Sequence, residues 1–375
     1  MKLLHTSDWH LGMSAGTRTL EEDQRFFLLQ LYKILEEEQP DAVLCAGDIY
    51  DNSVSNAEAI AVYNDATTEI CAKRKIPLLV IAGNHDGAAR LASCHELLKA
   101  AGLFVCGRLT REVEPVSVGN VDIYLIPFFH KEEVMALFPE HKGEITSQEK
   151  AMMVVCNHIR ENWDPHKKHI LMTHALIVNA ELSESDRSAR VGLATAVSKD
   201  VFEGFDYVAL GHIHKPQRID THIRYSGSPV KYSFGNEEKQ EKCVIIIDTD
   251  TNEQKVMPLK QLHERRSITG TYEEIVTMEG MENDYLRLRV TDRYAGLELL
   301  AEMQMRFPYL LELYGKSLEE NGELTAMSVE ELQTMDELDI MKKFCIETFS
   351  YEPTEEQMTL FEEVLAWSEQ EVDLS

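Results

Sequence analysis

Short apolar runs that stop abruptly at glycine or polar residues alternate, along the first half of the chain, with longer segments whose apolar positions recur at helical spacing. The first run is Leu3-Leu4. Helical periodicity over Leu20 to Glu38 (Phe26, Phe27, Leu29, Leu31, Ile34, Leu35) separates it from Ala42-Val43-Leu44-Cys45-Ala46, and a second helical segment, Ala57 to Lys73, separates that from Leu78-Leu79-Val80-Ile81-Ala82. Strands alternating with helices of this length predict parallel strands joined by crossover helices. The pattern continues with a helix over Arg90 to Ala101, strands near Phe104 to Cys106, Val113 to Val118 and Val121 to Pro127, and a helix over Gln148 to Asn162. Then follow a strand at His169 to His174, a polar loop over 179–196, a strand at Tyr207 to Leu210 and another at Cys243 to Asp248.

This pattern predicts an α/β core over residues 1–264. Ser267 to Val276, the alternating Tyr285 to Val290 and a helical Leu297 to Leu313 predict a small α/β unit over 265–315. Gly315 to Thr325 reads as a linker opening a tail over 316–375. The tail offers two helix starts of capping-box form, Ser328 with Glu331 and Thr354 with Gln357 after Pro353. In the second, Met358, Phe361, Val364 and Leu365 make one apolar face on an acidic remainder.

Charge qualifies the picture. The 375 residues carry 65 acidic and 37 basic side chains, a net of -28, which on its face argues against a nucleic-acid partner. Yet residues 317–375 hold 17 acidic and 2 basic side chains, so -15 of that total sits in the tail and only -13 in the rest. No apolar stretch approaches the ~20 residues needed to span a bilayer. Asp8, a candidate ligand, lies too early in the chain for a cleaved leader. The seven cysteines are scattered, odd in number and form no Cys-x-x-Cys pair, which points to reduced thiols and a cytoplasmic location.

Five strand ends deliver oxygen and nitrogen donors: Asp8 and His10, Asp48, Asn84 with His85, His174, and His212 with His214. Residues i and i+2 of an extended chain point the same way, so Asp8/His10 and His212/His214 each project to one side of a strand end. Ligands of open parallel sheets bind beyond the carboxyl ends of the strands, where all of these lie. Carboxylate, amide and imidazole donors without cysteine suit Mn²⁺, Fe²⁺ or Zn²⁺, and they are too many for one ion. Two ions sharing Asp48, activating a water against a phosphoester, is the chemistry this set predicts.

Asp-x-His, Gly-Asp, Gly-Asn-His-Asp, His and Gly-His-x-His, in this order, resemble the calcineurin-like metallophosphoesterase superfamily. Longer strings resemble its bacterial double-strand-break repair nucleases: Thr6 to Gly12, Gly47 to Asp51, Gly83 to Asp86 with Arg90-Leu91, Glu184 to Arg187, Phe205 to Gln217 and Tyr225 to Pro229. The resemblance implies a sandwich core and a manganese-dependent DNA nuclease, acting as double-strand exonuclease and single-strand or hairpin endonuclease. It implies one ion on Asp8, His10, Asp48 and His214, a second on Asp48, Asn84, His174 and His212, and His85 as the catalytic histidine. It further implies that 265–315 is a capping domain, that the tail docks on an SbcC-like ATPase, and that the chain forms a homodimer within a heterotetramer.

Other readings stand beside these. A calcineurin-like core also serves nucleotide, cyclic-nucleotide and other small phosphoester substrates, because fold does not fix substrate; a partner-binding platform is a further alternative. His5, His95, His130, His141, His158, His166, His169, His222 and His263 read as surface or satisfied core residues. Asp51 reads as a turn residue or helix cap rather than a support for the site. Arg90, Arg187 and Arg190 read equally as phosphate contacts or solvated loop residues.

Overall fold

The computed structural model describes residues 1–16, 18–186, 195–294, 297–316, 342, 352–354 and 357–361. Strand β1 (Lys2–Thr6) pairs parallel with β2 (Ala42–Cys45), β2 with β3 (Leu78–Ile81), and β3 with β4 (Leu103–Cys106). The first two crossovers are α1 (Glu21–Glu38) and α2 (Ala57–Thr67); the last turns of the segment predicted to Lys73 widen into a π-helix over Thr68–Lys73. The helix predicted over Arg90 to Ala101 is divided into α3 (Ala88–Leu91) and α4 (His95–Lys99) by Cys94, whose left-handed φ of 57° interrupts it.

Strands β5 (Val116–Val118) and β6 (Val121–Ile126) lead through α5 (Lys131–Leu137) and α6 (Gln148–Asn162) to β7 (Lys168–His174). Then come β8 (Tyr207–Gly211), β9 (Gln217–Arg218) and β10 (Ile223–Tyr225), which complete a second sheet in the order β9-β10-β8-β7-β6-β5. The chain returns to the first sheet with β11 (Lys242–Asp248), antiparallel to β1, and β12 (Gln254–Leu259), giving β12-β11-β1-β2-β3-β4.

Alternation of side chains along each strand makes four layers. Leu3, Leu44, Leu79, Ile81 and Ile245 face the other sheet and meet Ile123, Ile170, Met172 and Ala209. Leu4, Val43, Val80 and Ile246 face away and pack on Phe27, Leu31 and Leu35 of α1 and Val62 of α2. On the far side Ile126, Leu171, Val208 and Leu210 pack on Met152, Val155 and Ile159 of α6. Central strands buried on both faces read as unbroken apolar runs, which is why the sequence shows them so plainly.

The small domain has its own core of Ile275, Leu286, Leu288, Val290, Met303 and Phe307. It comprises β13 (Arg265–Gly270), α7 (Tyr272–Thr277), β14 (Tyr285–Tyr294), α8 (Leu297–Arg306) and β15 (Leu310–Lys316), with three parallel strands. The helix predicted to reach Leu313 ends at Arg306. Pro308 cannot continue the backbone ladder, and Leu310 to Lys316 instead pair with β14, so Gly315 and Lys316 finish a strand rather than begin a linker. This domain is seated on α1 through Asp23, which accepts the Tyr285 hydroxyl at 2.7 Å and lies 3.1 Å from His263 Nδ1, all three buried.

In the tail, the Ser328/Glu331 capping box lies outside the described residues, as do Val364 and Leu365 of the apolar face. At the second start the Thr354 N–H donates to Gln357 Oε1 at 2.9 Å and the Gln357 N–H to Thr354 Oγ1 at 3.3 Å. Among the described residues no helix is long and apolar enough to cross a membrane.

Candidate metal centre

The carboxyl ends of β1, β2 and β3 in one sheet and of β7 and β8 in the other converge on one point. Backbone bonds lace the loops together: Asp8 N–H to Gly47 O at 2.9 Å, His10 N–H to Asp48 O at 3.0 Å and Leu11 N–H to Ile49 O at 2.8 Å. Two candidate ligands also fix the loops, since Asp8 Oδ1 accepts the His212 N–H and Asp48 Oδ1 the His85 N–H, both at 2.9 Å. Of nine described non-glycine residues at positive φ, four are candidate ligands: Asp8 (53°), His10 (43°), Asp48 (49°) and His212 (102°). Such backbone costs on the order of 1–3 kcal/mol per residue and persists where surrounding structure imposes it, often at functional sites. Close approach explains two of the glycines. A Cβ on Gly83 would lie 2.1 Å from Asp48 Oδ1, and one on Gly211 would lie 1.8 Å from the Ala46 carbonyl.

All seven predicted ligands come together. Asp8, His10 and His214 place donor atoms within 4.8 Å of one another, with His10 Nε2 3.0 Å from His214 Nε2. On the other side Asn84 Oδ1 lies 3.0 Å from His174 Nε2 and 2.8 Å from His212 Nδ1, and those two nitrogens are 3.3 Å apart. Asp48 stands between the groups, its Oδ2 3.6 Å from His10 Nε2 and 3.3 Å from His174 Nε2. Two donors bonded at roughly 2.1 Å to one ion, at right angles, lie about 3 Å apart. The observed spacings therefore fit two neighbouring cations with Asp48 shared.

Protonation points the same way. His174 Nδ1–H donates to Ala46 O at 2.9 Å, which turns Nε2 toward Asn84 and Asp48. His85 Nδ1 is tied to Asp51 O at 2.9 Å, so its Nε2 is the free nitrogen, half-buried at the rim. Burial pushes the Asp8 carboxyl up to about 6 against the pull of His174. Burial would raise Asp48 too, but the imidazoles of His174, His10 and His85 hold it well below the usual carboxylate range. Burial disfavours a charged His174, yet Asp48 outweighs it and raises that imidazole to about 9. His212, by burial and the charge on His174, falls to about 3, and His214, by burial and His10, falls well below its ordinary value. The proton held on buried His174 beside Asp48 is charge that a divalent cation would replace.

Several residues besides the seven candidate ligands shape the site, the first of them inside the Gly-Asn-His-Asp motif. Asp86 is buried and accepts backbone N–H groups of Gly83 (2.8 Å), Tyr50 (2.9 Å) and Ile49 (3.2 Å), clamping the loops that carry Asp48 and Asn84. Gln24 donates to the His10 carbonyl at 2.7 Å and accepts the Gly12 N–H at 3.2 Å. Asp51, read as a turn or cap, places Oδ1 3.5 Å from His10 Nδ1, while the cap of α2 is Asn56. Beneath His214 lie Ser185, Asp186, Glu237 and Lys242; the Lys242–Glu237 pair, 2.6 Å apart, is fully buried. Nothing in the spacing of Gln24, Glu237 or Lys242 marks them. Arg90 donates to Ser53 O at 3.0 Å, and Arg187 and Arg190 lie outside the described residues. A cavity of about 160 Å³ opens beside the second ligand group, lined by Phe128, His130 and Gln148.

The calcineurin-like phosphoesterase family profile matches residues 1–216, and that of the Type 5 capsule protein repressor C-terminal domain matches 261–349. The D component of the nuclease SbcCD from Staphylococcus epidermidis is 32% identical over 320 residues, covering 84% of this chain and 85% of its own. The chain belongs to the SbcD family of metal-dependent nucleases. The SbcD protein of Staphylococcus saprophyticus, likewise the D component of a nuclease SbcCD, is 31% identical over 351 residues, 92% of each chain. The crystal structure of TT1561 of Thermus thermophilus overlays on 69% of this chain and 99% of its own at 13% identity, with a TM-score of 0.37, too low to inform the SbcD fold.

Proposed function

We propose that the chain hydrolyses phosphodiester bonds of DNA with two divalent ions, manganese by preference, as double-strand exonuclease and single-strand or hairpin endonuclease. The convergence of six nitrogen and oxygen donor residues around a shared Asp48, with His85 at the rim, carries this reading. Asp8, His10, Asp48 and His214 would hold one ion, and Asp48, Asn84, His174 and His212 the other. Bound there, divalent ions would polarise the phosphate and lower the pKa of a water. Asp86 and Gln24 keep the ligand loops in register. His85, its Nδ1 committed to Asp51 O, presents Nε2 to the scissile phosphate and serves the leaving 3′ oxygen as proton donor or hydrogen-bond donor.

The capping domain helps place DNA, and the acidic tail docks on an SbcC-like ATPase whose basic surface offsets this chain's charge. DNA affinity of the isolated chain is then weak and falls with salt. A homodimer within a heterotetramer, acting in the cytoplasm, completes the reading. The test is cleavage of end-labelled duplex and hairpin DNA with Mn²⁺, Mg²⁺ or chelator, comparing wild type with Asp48→Asn. Mn²⁺-dependent cleavage lost in the variant supports the proposal. Turnover of cyclic nucleotides or p-nitrophenyl esters without DNA cleavage, in the presence of the ATPase, would replace it with a small phosphoester substrate.

A further inference from the structure

His214 needs a free Nε2 lone pair to bind a metal, and a neutral imidazole offers it only if its hydrogen sits on Nδ1. Nδ1 lies 2.7 Å from Ser185 Oγ, and that hydroxyl lies 2.9 Å from Glu237 Oε2. Glu237 is fully buried and paired at 2.6 Å with the equally buried Lys242. A carboxylate has no hydrogen to give, so every polar neighbour of Oε2 must donate. The Ser233 N–H does so at 2.8 Å, the Ser233 hydroxyl at 2.6 Å, and the Ser185 hydroxyl uses its single hydrogen in the same way. Ser185 Oγ can then only accept, and the His214 hydrogen is directed to Nδ1.

The other end of the chain of bonds closes on the same residue. Lys242 Nζ donates to the His214 carbonyl and to Ser228 Oγ, both at 2.9 Å, and to Gln240 Oε1 at 3.2 Å. Asp186 Oδ1 takes the His214 N–H at 3.1 Å. Backbone and ring of His214 are thus held by one buried network, whereas the Nδ1 of His174, a candidate ligand of the other group, meets a single backbone carbonyl.

We propose that Ser185, held by the buried Glu237–Lys242 pair, is a positioning residue that sets the tautomer and ring orientation of His214 and thereby the affinity of the first metal position. This rests on the two-ion reading above. Outer partners of ligating histidines commonly contribute about 10- to 100-fold in metal affinity. Full-length protein freed of metal with chelator is titrated with Mn²⁺ by calorimetry, with bound metal counted by elemental analysis. Wild type binds two ions. Ser185→Ala binds one ion as wild type does and the other about 10- to 100-fold more weakly, and Ser185→Thr, which keeps the hydroxyl, restores both.

Ser185→Ala binding both ions within about threefold of wild type overturns the proposal. A wild type that binds fewer than two ions overturns the reading beneath it, and the proposal with it. A readout needing no variant at Ser185 is the ¹H–¹⁵N long-range spectrum of the metal-free wild type, with His214 assigned through His214→Asn. A hydrogen on Nδ1 is the expected result, and one on Nε2 sinks the idea.

Discussion

Replacing Glu237 by Gln leaves Lys242 buried without its counter-charge while keeping the shape of the side chain. Breaking a buried pair by removing one partner costs about 3–5 kcal/mol. The carboxyl's own titration gives a second value: burial alone would raise Glu237, but Lys242 foremost, with His214 and Ser233, holds it at about 2 instead of its ordinary 4.5. At 1.36 kcal/mol per tenfold, that difference is worth about 3 kcal/mol at neutral pH. At roughly 2 °C per kcal/mol for a large domain, Glu237→Gln should melt about 6 to 10 °C below wild type. The assay is thermal and urea unfolding in chelator, so that metal affinity does not enter. A depressed carboxyl contributes stability that is present above its ordinary 4.5 and lost as pH falls toward about 2. The gap between wild type and variant should therefore be constant near neutrality and shrink in acid below that ordinary value. Glu237→Met with Lys242→Met should recover part of the loss, since no charge is then stranded. A single variant within about 1 kcal/mol of wild type at neutral pH, or a gap that widens in acid, would refute the reasoning.

Three further outcomes follow from the site and the tail. His85→Gln should bind two ions like wild type while cleavage drops by about 10²- to 10⁴-fold, and loss of metal instead would make His85 a ligand. Asp86→Ala frees three backbone N–H groups and should destabilise by about 3 kcal/mol or more while weakening both ions together; selective weakening of one ion would show that its clamp is not shared. Deleting residues 317–375 should leave Mn²⁺-dependent cleavage within about threefold and abolish association with an SbcC-like ATPase, and co-purification of the truncated chain with that partner would move the docking surface elsewhere.

The candidate ligands can be read from sequence because each is tethered to the end of a strand whose apolar run announces it. Asp48 and Asn84 need only the strand before them and the glycine that lets them approach. The supporting residues cannot, because they are paired across distances the sequence does not encode locally. Gln24 looks like any polar position of an amphipathic helix until its side chain reaches the His10 carbonyl, and Lys242 looks like a solvated strand start although it is fully buried. Asp51 escapes for the same reason: Asp-Asn-Ser favours turns locally, but the cap of α2 is Asn56 and the Asp51 carboxylate turns to His10 instead. The Leu297 to Leu313 segment shows the converse error, apolar spacing carried past Pro308 into residues that form the third strand of the small sheet.

The first turn of α1 bears two neighbouring residues with separate allegiances. Asp23 holds Tyr285 and His263 at the seat of the small domain, and Gln24 holds the carbonyl of His10. A helix turn is stiff, so a torque applied to the small domain would reach His10, a proposed metal ligand, through one peptide bond and the Gln24 hydrogen bond. Substitutions at this seat would then register as altered ion affinity, far from any residue that touches an ion.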